Sequence, residues 1–169
     1  MIYTERLWNF KNSLLFKLRK TNILWLLALV VLFNLALSLI VAFVSNKAGY
    51  SISANFLPFE SIKEEFIVVV IIAPFLETTF YQYFLIEFVL FITRFLFKKE
   101  SILLAVLIPA IAFAMSHQYN YIYVANTLIA GISLNLFYII VKLRKQNAFI
   151  CTVIVHAIYN LFVFALRNT

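Results

Sequence analysis

The chain has no aspartate, one cysteine, two glycines and three prolines in 169 residues. Without aspartate, a catalytic pair of aspartates is excluded. With Cys151 alone, no internal disulfide can form and the redox compartment stays open; the simplest role for this thiol is that of a small buried hydrophobe. Charge is also scarce, at 12% of residues against about 25% in an ordinary soluble domain. The His-Glu-x-x-His zinc pattern is missing. So is a Gly-x-Ser-Gly nucleophile loop, the nearest stretch being Gly131-Ile132-Ser133-Leu134. No repeat or low-complexity tract divides the chain, which has the length of about one domain.

What is abundant is apolar side chain: 64% of residues are hydrophobic and the mean hydropathy is +0.98. That much apolar surface calls for lipid around it. The net charge of +7 would suggest nucleic acid in a soluble protein, but its placement argues otherwise. Arg6, Lys11, Lys17, Arg19 and Lys20 precede the first apolar run, Arg94, Lys98 and Lys99 form a second cluster, and Lys142, Arg144 and Lys145 a third. Basic residues gathered in alternate short loops mark the cytoplasmic side of a multi-spanning protein. The expected partner is therefore the bilayer and not nucleic acid, with the N-terminus cytoplasmic. A short chain with modest loops suggests a bacterial inner membrane.

Residues 1–21 place Leu7, Phe10, Leu14 and Leu18 at helical spacing among basic residues. This suits a helix in the membrane interface or a cytoplasmic extension of the first span. The membrane domain then runs over residues 22–166. Its first span, from Asn22 to about Val44, is too long and starts too late for a cleaved signal peptide. A polar loop with Asn46, Lys47 and Gly49 follows. After Pro58, Ser61-Ile62-Lys63-Glu64 predicts a capping box opening a second helix, which should kink at Pro74 and continue to about Phe97. Three further spans are expected, from Ser101 to His117, Tyr121 to Val141 and Ala148 to Leu166, with a polar turn at Gln118-Tyr119-Asn120. The sum is an all-α polytopic bundle of about five transmembrane helices.

Ionisable groups at bilayer depth cost roughly 2.5 kcal/mol or more each, so every one is a functional candidate. Glu77 lies inside the second helix, His117 ends the third span, and His156 sits within the fifth with Asn160 one turn on. Spacing of four puts His156 and Asn160 on one helix face, from which both can offer donors to a developing oxyanion. A carboxylate and an imidazole from other helices can hold and deprotonate a water. Taken singly, each residue also suits a plain helix-to-helix hydrogen bond. At 1.5 Å per residue, Glu77 and His156 reach mid-bilayer and His117 falls nearer the outer end. Glu87 and Arg94 are expected to snorkel or pair near the inner interface. Glu64 and Glu65 are expected to sit at a helix N-terminus where the dipole favours them. The 19 phenylalanines should mostly pack or face lipid.

The residues resemble the CPBP or Abi family of intramembrane proteases, which includes CAAX prenyl proteases and bacteriocin-processing relatives. Its motifs are Glu-Glu-x-x-x-Arg, Phe-x-x-x-His and His-x-x-x-Asn on successive helices. This chain carries Glu77-Thr78-Thr79-Phe80-Tyr81-Gln82, Phe113-Ala114-Met115-Ser116-His117 and His156-Ala157-Ile158-Tyr159-Asn160. The resemblance covers about residues 64–166. It implies an intramembrane endopeptidase acting on a membrane protein or peptide. Glu77 and His117 would activate water, His156 and Asn160 would stabilise the tetrahedral intermediate, and Phe113, Thr78 and Gln82 would support them. A divalent metal such as zinc, held by Glu77, His117 and His156, is compatible with the residue types, as is a metal-free reaction. Where the family has a second Glu and an Arg, this chain has Thr78 and Gln82, a neutral pair in place of a charged one. That change also admits a catalytically inactive relative acting as an immunity or scaffold partner. A third option is a small transporter or channel subunit with a proton path through Glu77 and the histidines.

Overall fold

The computed structural model describes residues 14–47, 49, 59–117 and 120–168, and every regular element there is helical. The helices are α1 (Leu14–Lys20), α2 (Ile23–Lys47), α3 (Ile62–Phe97), α4 (Ile102–Met115), α5 (Tyr121–Leu143) and α6 (Ala148–Arg167). By length and apolar composition α2, α3, α5 and α6 can each cross a membrane, while α4 is shorter, at 14 residues. The protein is an all-α, multi-pass bundle of the predicted kind. Most of the basic N-terminal segment, the loop containing Pro58, and Gln118 and Tyr119 lie outside the described residues.

Short polar residues start the helices where the sequence places them. Ser61, Ser101, Asn120 and Asn147 each accept a backbone N–H of the first turn of α3, α4, α5 and α6, at 3.2, 3.4, 2.8 and 3.1 Å, satisfying donors the helix cannot. The expected capping box at Ser61 forms only on one side. Glu64 Oε2 accepts from the N–H of Glu60 at 2.8 Å, one residue earlier than the box requires.

Helix α5 runs through the middle, packed against α1, α2, α4 and α6. Its Leu134, Phe137, Tyr138 and Val141 join Leu26 and Val31 of α2, Ile86 and Leu90 of α3, Ala105 of α4 and Val155 of α6 in one buried cluster. The outer face of α3 is a stripe of Phe80, Phe84, Phe88, Phe91 and Phe95, each 58–65% exposed, a surface suited to lipid. Cys151 is half-buried beside the core.

Lipid tails are as apolar as leucine, so helices in a membrane associate through close packing and hydrogen bonds. Both are present. Asn34 Nδ2 of α2 donates to Ser133 Oγ of α5 at 2.8 Å, and Ser38 Oγ of α2 meets Tyr159 OH of α6 at 2.6 Å. Gln82 Nε2 donates to Asn135 Oδ1 at 3.3 Å, and Asn135 Nδ2 donates to Val106 O at 2.8 Å. Toward the other end, Arg144 donates to Thr21 O, joining the α5–α6 junction to the start of α2. Glu87 takes Lys142 as its ion partner and accepts from Tyr138 OH at 2.9 Å, and Arg94 pairs with Glu100.

Helix α3 is continuous for 36 residues, and Pro74 is absorbed by changes of pitch. Two widened π segments, Ile67–Ile72 and Thr78–Leu85, flank the ordinary helical stretch Ala73–Glu77. Such segments are uncommon and gather at functional sites.

Gly131 sets the α4–α5 distance. A Cβ at this position would stand 3.1 Å from Phe113 Cδ1 and 3.2 Å from Ala110 Cα. Gly131→Leu should therefore overpack the interface and cost about 1–3 kcal/mol, read as a lower apparent melting temperature in detergent. An unchanged transition would mean that α4 and α5 lie further apart than described.

Candidate active site

Glu77 ends the ordinary helical stretch of α3 and points its carboxylate between two imidazoles. Oε1 is 3.6 Å from His117 Nε2 and Oε2 is 3.5 Å from His156 Nε2. The His156 side chain is 5% exposed, that of His117 18% and that of Glu77 24%, so the carboxylate keeps an open side. The sequence placed His117 too shallow to meet the others. In the structure its ring nevertheless stands beside the Glu77 carboxylate, two residues beyond the end of α4 at Met115.

His117 is also fixed in tautomer. Its Nδ1 lies 2.8 Å from Phe113 O, and because a carbonyl only accepts, Nδ1 donates. In the neutral ring this leaves the lone pair on Nε2, the atom facing Glu77. The Phe113 ring stands edge-on to both imidazoles, at 4.6 Å from His117 and 6.1 Å from His156 between ring centres. Tyr81 backs Phe113 at 5.3 Å. The Phe of the Phe-x-x-x-His spacing thus gives His117 its backbone acceptor and wedges both rings.

Asn160 is held by a partner the sequence did not suggest: its Nδ2 donates to Val69 O at 2.9 Å. Pro74 explains why that carbonyl is available. In the π segment the N–H of Ala73 goes five residues back, to Val68 O, and Pro74, the next residue, has no N–H. Val69 O is left without its helical donor, and a buried carbonyl needs one. An amide carries two N–H groups, so one more remains for other use.

Thr78 and Gln82 are fully buried. Thr78 Oγ1 lies 3.5 Å from His156 Nδ1, while Gln82 turns to Asn135. Each neutral group therefore finds its own neighbour, His156 in one case and α5 in the other.

Glu77, His117, His156 and Asn160 all line one cavity of about 250 Å³. Asn34, Asn126, Thr127 and Tyr159 line it too. The sequence reading passed over these four, although an amide in an apolar run is a cost that asks for a reason. Glu65 and Arg167 form an ion pair at the same cavity. Glu65 lies in the first turn of α3, as expected, and is in addition buried, at 6% exposed, with Arg167 of α6 as its ion partner.

Among the described residues, no group of three or more His, Cys, Asp or Glu side chains converges as a metal ion requires. Zinc ligands sit about 2.0–2.3 Å from one shared centre. The two imidazoles here address opposite oxygens of one carboxylate, and no step below is routed through a metal.

The Pro74–Val69–Asn160 arrangement can be tested without substrate. Asn160→Ala orphans Val69 O and should cost about 1–3 kcal/mol of stability. In a Pro74→Ala background, the restored N–H should take over Val69 O and remove most of that penalty. Equal penalties in the two backgrounds would sever the link between Pro74 and Asn160.

Searches among curated proteins and among solved structures gave no match. A family model described as Rce1-like, type II CAAX prenyl endopeptidase, matches residues 62–162. That range is more than half of the chain and nearly the 64–166 predicted from the motifs. It contains Glu77, Phe113, His117, His156 and Asn160, and leaves out α1 and α2. The chain belongs to the Rce1-like family of type II CAAX prenyl endopeptidases, a CPBP-type family of intramembrane proteases.

Proposed function

We propose that this protein is an active intramembrane endopeptidase in which Glu77 is the general base. The observation that carries the reading is the placement of one carboxylate within 3.6 and 3.5 Å of two imidazoles, on the wall of a cavity inside a membrane bundle. A lone pair on His117 Nε2 and an ionised carboxylate do not attract each other. A water seated to the cavity side of the two atoms, donating one proton to each, satisfies both. Glu77 takes a proton from that water as its oxygen attacks the scissile carbonyl, and then delivers the proton to the leaving amine.

His156 suits the other half of the reaction. If Thr78 Oγ1 donates to Nδ1, Nε2 carries the proton and faces the reacting atoms. That N–H and the second amide N–H of Asn160 are the donors assigned to the oxyanion. Phe113 and Thr78 orient the rings, and Gln82 anchors the same stretch of α3 to α5. The substrate class is a membrane-anchored protein or peptide, with a prenylated C-terminal segment as the form the family name points to. Basic residues at Lys17, Arg19, Lys20, Arg94, Lys98, Lys99, Lys142, Arg144 and Lys145 support a cytoplasmic N-terminus, and the short loops a bacterial inner membrane.

One observation favours a second reading, a catalytically inactive relative that binds a membrane partner as an immunity or scaffold protein. The charged pair of the first motif is replaced by Thr78 and Gln82, and Gln82 Oε1 is buried without a hydrogen-bond partner among the described residues. Such loosening beside a site can lower its precision.

The two readings part in one experiment. Protein N-termini in membranes from cells carrying wild type or Glu77→Gln, matched for accumulation, should differ by a few new N-termini found only with wild type. Identical profiles under conditions where the protein is needed would establish the inactive reading. The purified enzyme should keep its activity in chelator, because Glu77 and the imidazoles hold the attacking water through hydrogen bonds in this reaction. Stoichiometric zinc that disappears with His117→Ala would overturn the metal-free reaction.

A further inference from the structure

The end of the bundle at which α3 and α5 finish and α2, α4 and α6 begin carries groups that the reaction above does not use. Arg144, in the α5–α6 turn, donates to Thr21 O at the start of α2, and α1 packs on α5. Lys142 of α5 pairs with Glu87 of α3, and the N–H of Ser101, at the start of α4, donates to Thr93 Oγ1 of α3 at 3.1 Å. These contacts gather the basic clusters of α1, the α3–α4 turn and the α5–α6 turn at one end. The carboxylates described there are both taken, Glu87 by Lys142 and Glu100 by Arg94. Lys98, Lys99 and Lys145 are exposed and face no carboxylate among the described residues; Lys98 Nζ lies over the Phe95 ring at 5.9 Å. The opposite end mixes signs, with Glu60, Lys63 and Glu64 together in sequence and Arg167 paired to Glu65.

Two of these lysines hold a backbone position that favours a different residue. Lys98 closes α3 at φ 58° and ψ 14°, and Lys145 follows α5 at φ 58°. Glycine enters this left-handed region freely and a lysine does not. The turn after α5 has the Schellman form, with the N–H of Gln146 reaching Val141 O at 3.3 Å, and its left-handed residue is most often glycine. A cation in the last helical turn serves the helix dipole without that cost, and Arg94 in α3 and Lys142 in α5 already stand there. What the left-handed lysines add is charge carried past the helix ends, toward the headgroup layer.

We propose that this end of the bundle is a binding surface for anionic phospholipid headgroups, with Lys98 and Lys145 as its contact points on two separate turns. The lipid phosphate supplies the negative charge and the acceptor oxygens that these turns lack, and basic residues beside a membrane span attract such lipids. Setting the orientation of the chain during insertion would need only the charge; a headgroup surface also needs the charge to act on the finished bundle. The inference is independent of the protease reading.

The test melts the purified full chain in neutral detergent with added phosphatidylcholine or phosphatidylglycerol. Phosphatidylglycerol should raise the apparent melting temperature of wild type above its value in phosphatidylcholine. The rise should fade as sodium chloride screens exposed charges, a series that needs no variant. The Lys98→Gly, Lys145→Gly double variant should melt in phosphatidylcholine at or above wild type, because glycine relieves the left-handed backbone. In phosphatidylglycerol it should lose most of the rise, and each single variant should need about fivefold more of that lipid for half its effect. Lys98→Arg with Lys145→Arg should keep the rise. A rise that survives in the glycine variant, or at high salt, would overturn the surface. So would a marked fall of that variant in phosphatidylcholine, which would assign the lysines to the fold. Inorganic phosphate at matched ionic strength should give no rise; a rise equal to that with phosphatidylglycerol would overturn the lipid as the occupant.

Discussion

Within a bilayer there is no water to answer a polar group, so each one must be answered by the protein itself. Most of the contacts that order this bundle follow from that requirement. Asn34 and Ser133 answer each other, Ser38 meets Tyr159, Asn135 bridges Gln82 and Val106, and Asn160 takes up the Val69 carbonyl. These pairs cross helix boundaries and fix which faces meet in a protein whose spans expose mainly apolar side chains. Glu77 is the extreme case. An ionisable group is the hardest to house in an apolar span, and imidazoles from two other helices stand within 3.6 Å of it.

Much of this was legible in the sequence. Apolar runs bounded by basic loops located the helices, because lipid imposes its length on any crossing segment. The ionisable residues inside those runs, with the Asn one turn after His156, singled out Glu77, His117, His156 and Asn160, which line one cavity. What stayed hidden depends on three-dimensional partners. The Val69 carbonyl is freed by a change of helical pitch that hydrophobicity does not encode. The meeting of His117 with Glu77 depends on how α4 packs against α3, which counting residues along one helix does not give. The partner of Glu65 was hidden because Arg167 arrives from the far end of α6. Asn126 belongs to no motif and is visible only through the cavity it borders.

The neutral pair at Thr78 and Gln82 fits the same logic. Both side chains are fully enclosed, and a single charge left there would be far more costly than two groups able to hydrogen-bond. Exchanging both together keeps the interior neutral. This part of α3 is held by contacts of Thr78 with His156 and of Gln82 with Asn135.

The family match begins at the start of α3, yet α2 is built into what the match encloses. Asn34 borders the cavity, and Ser38 holds the hydroxyl of Tyr159, which borders it as well. Evolutionary kinship therefore draws a smaller outline than mechanical dependence does. A version trimmed to the recognisable segment would keep every motif residue and lose a wall, opening the cavity sideways to the acyl chains around it.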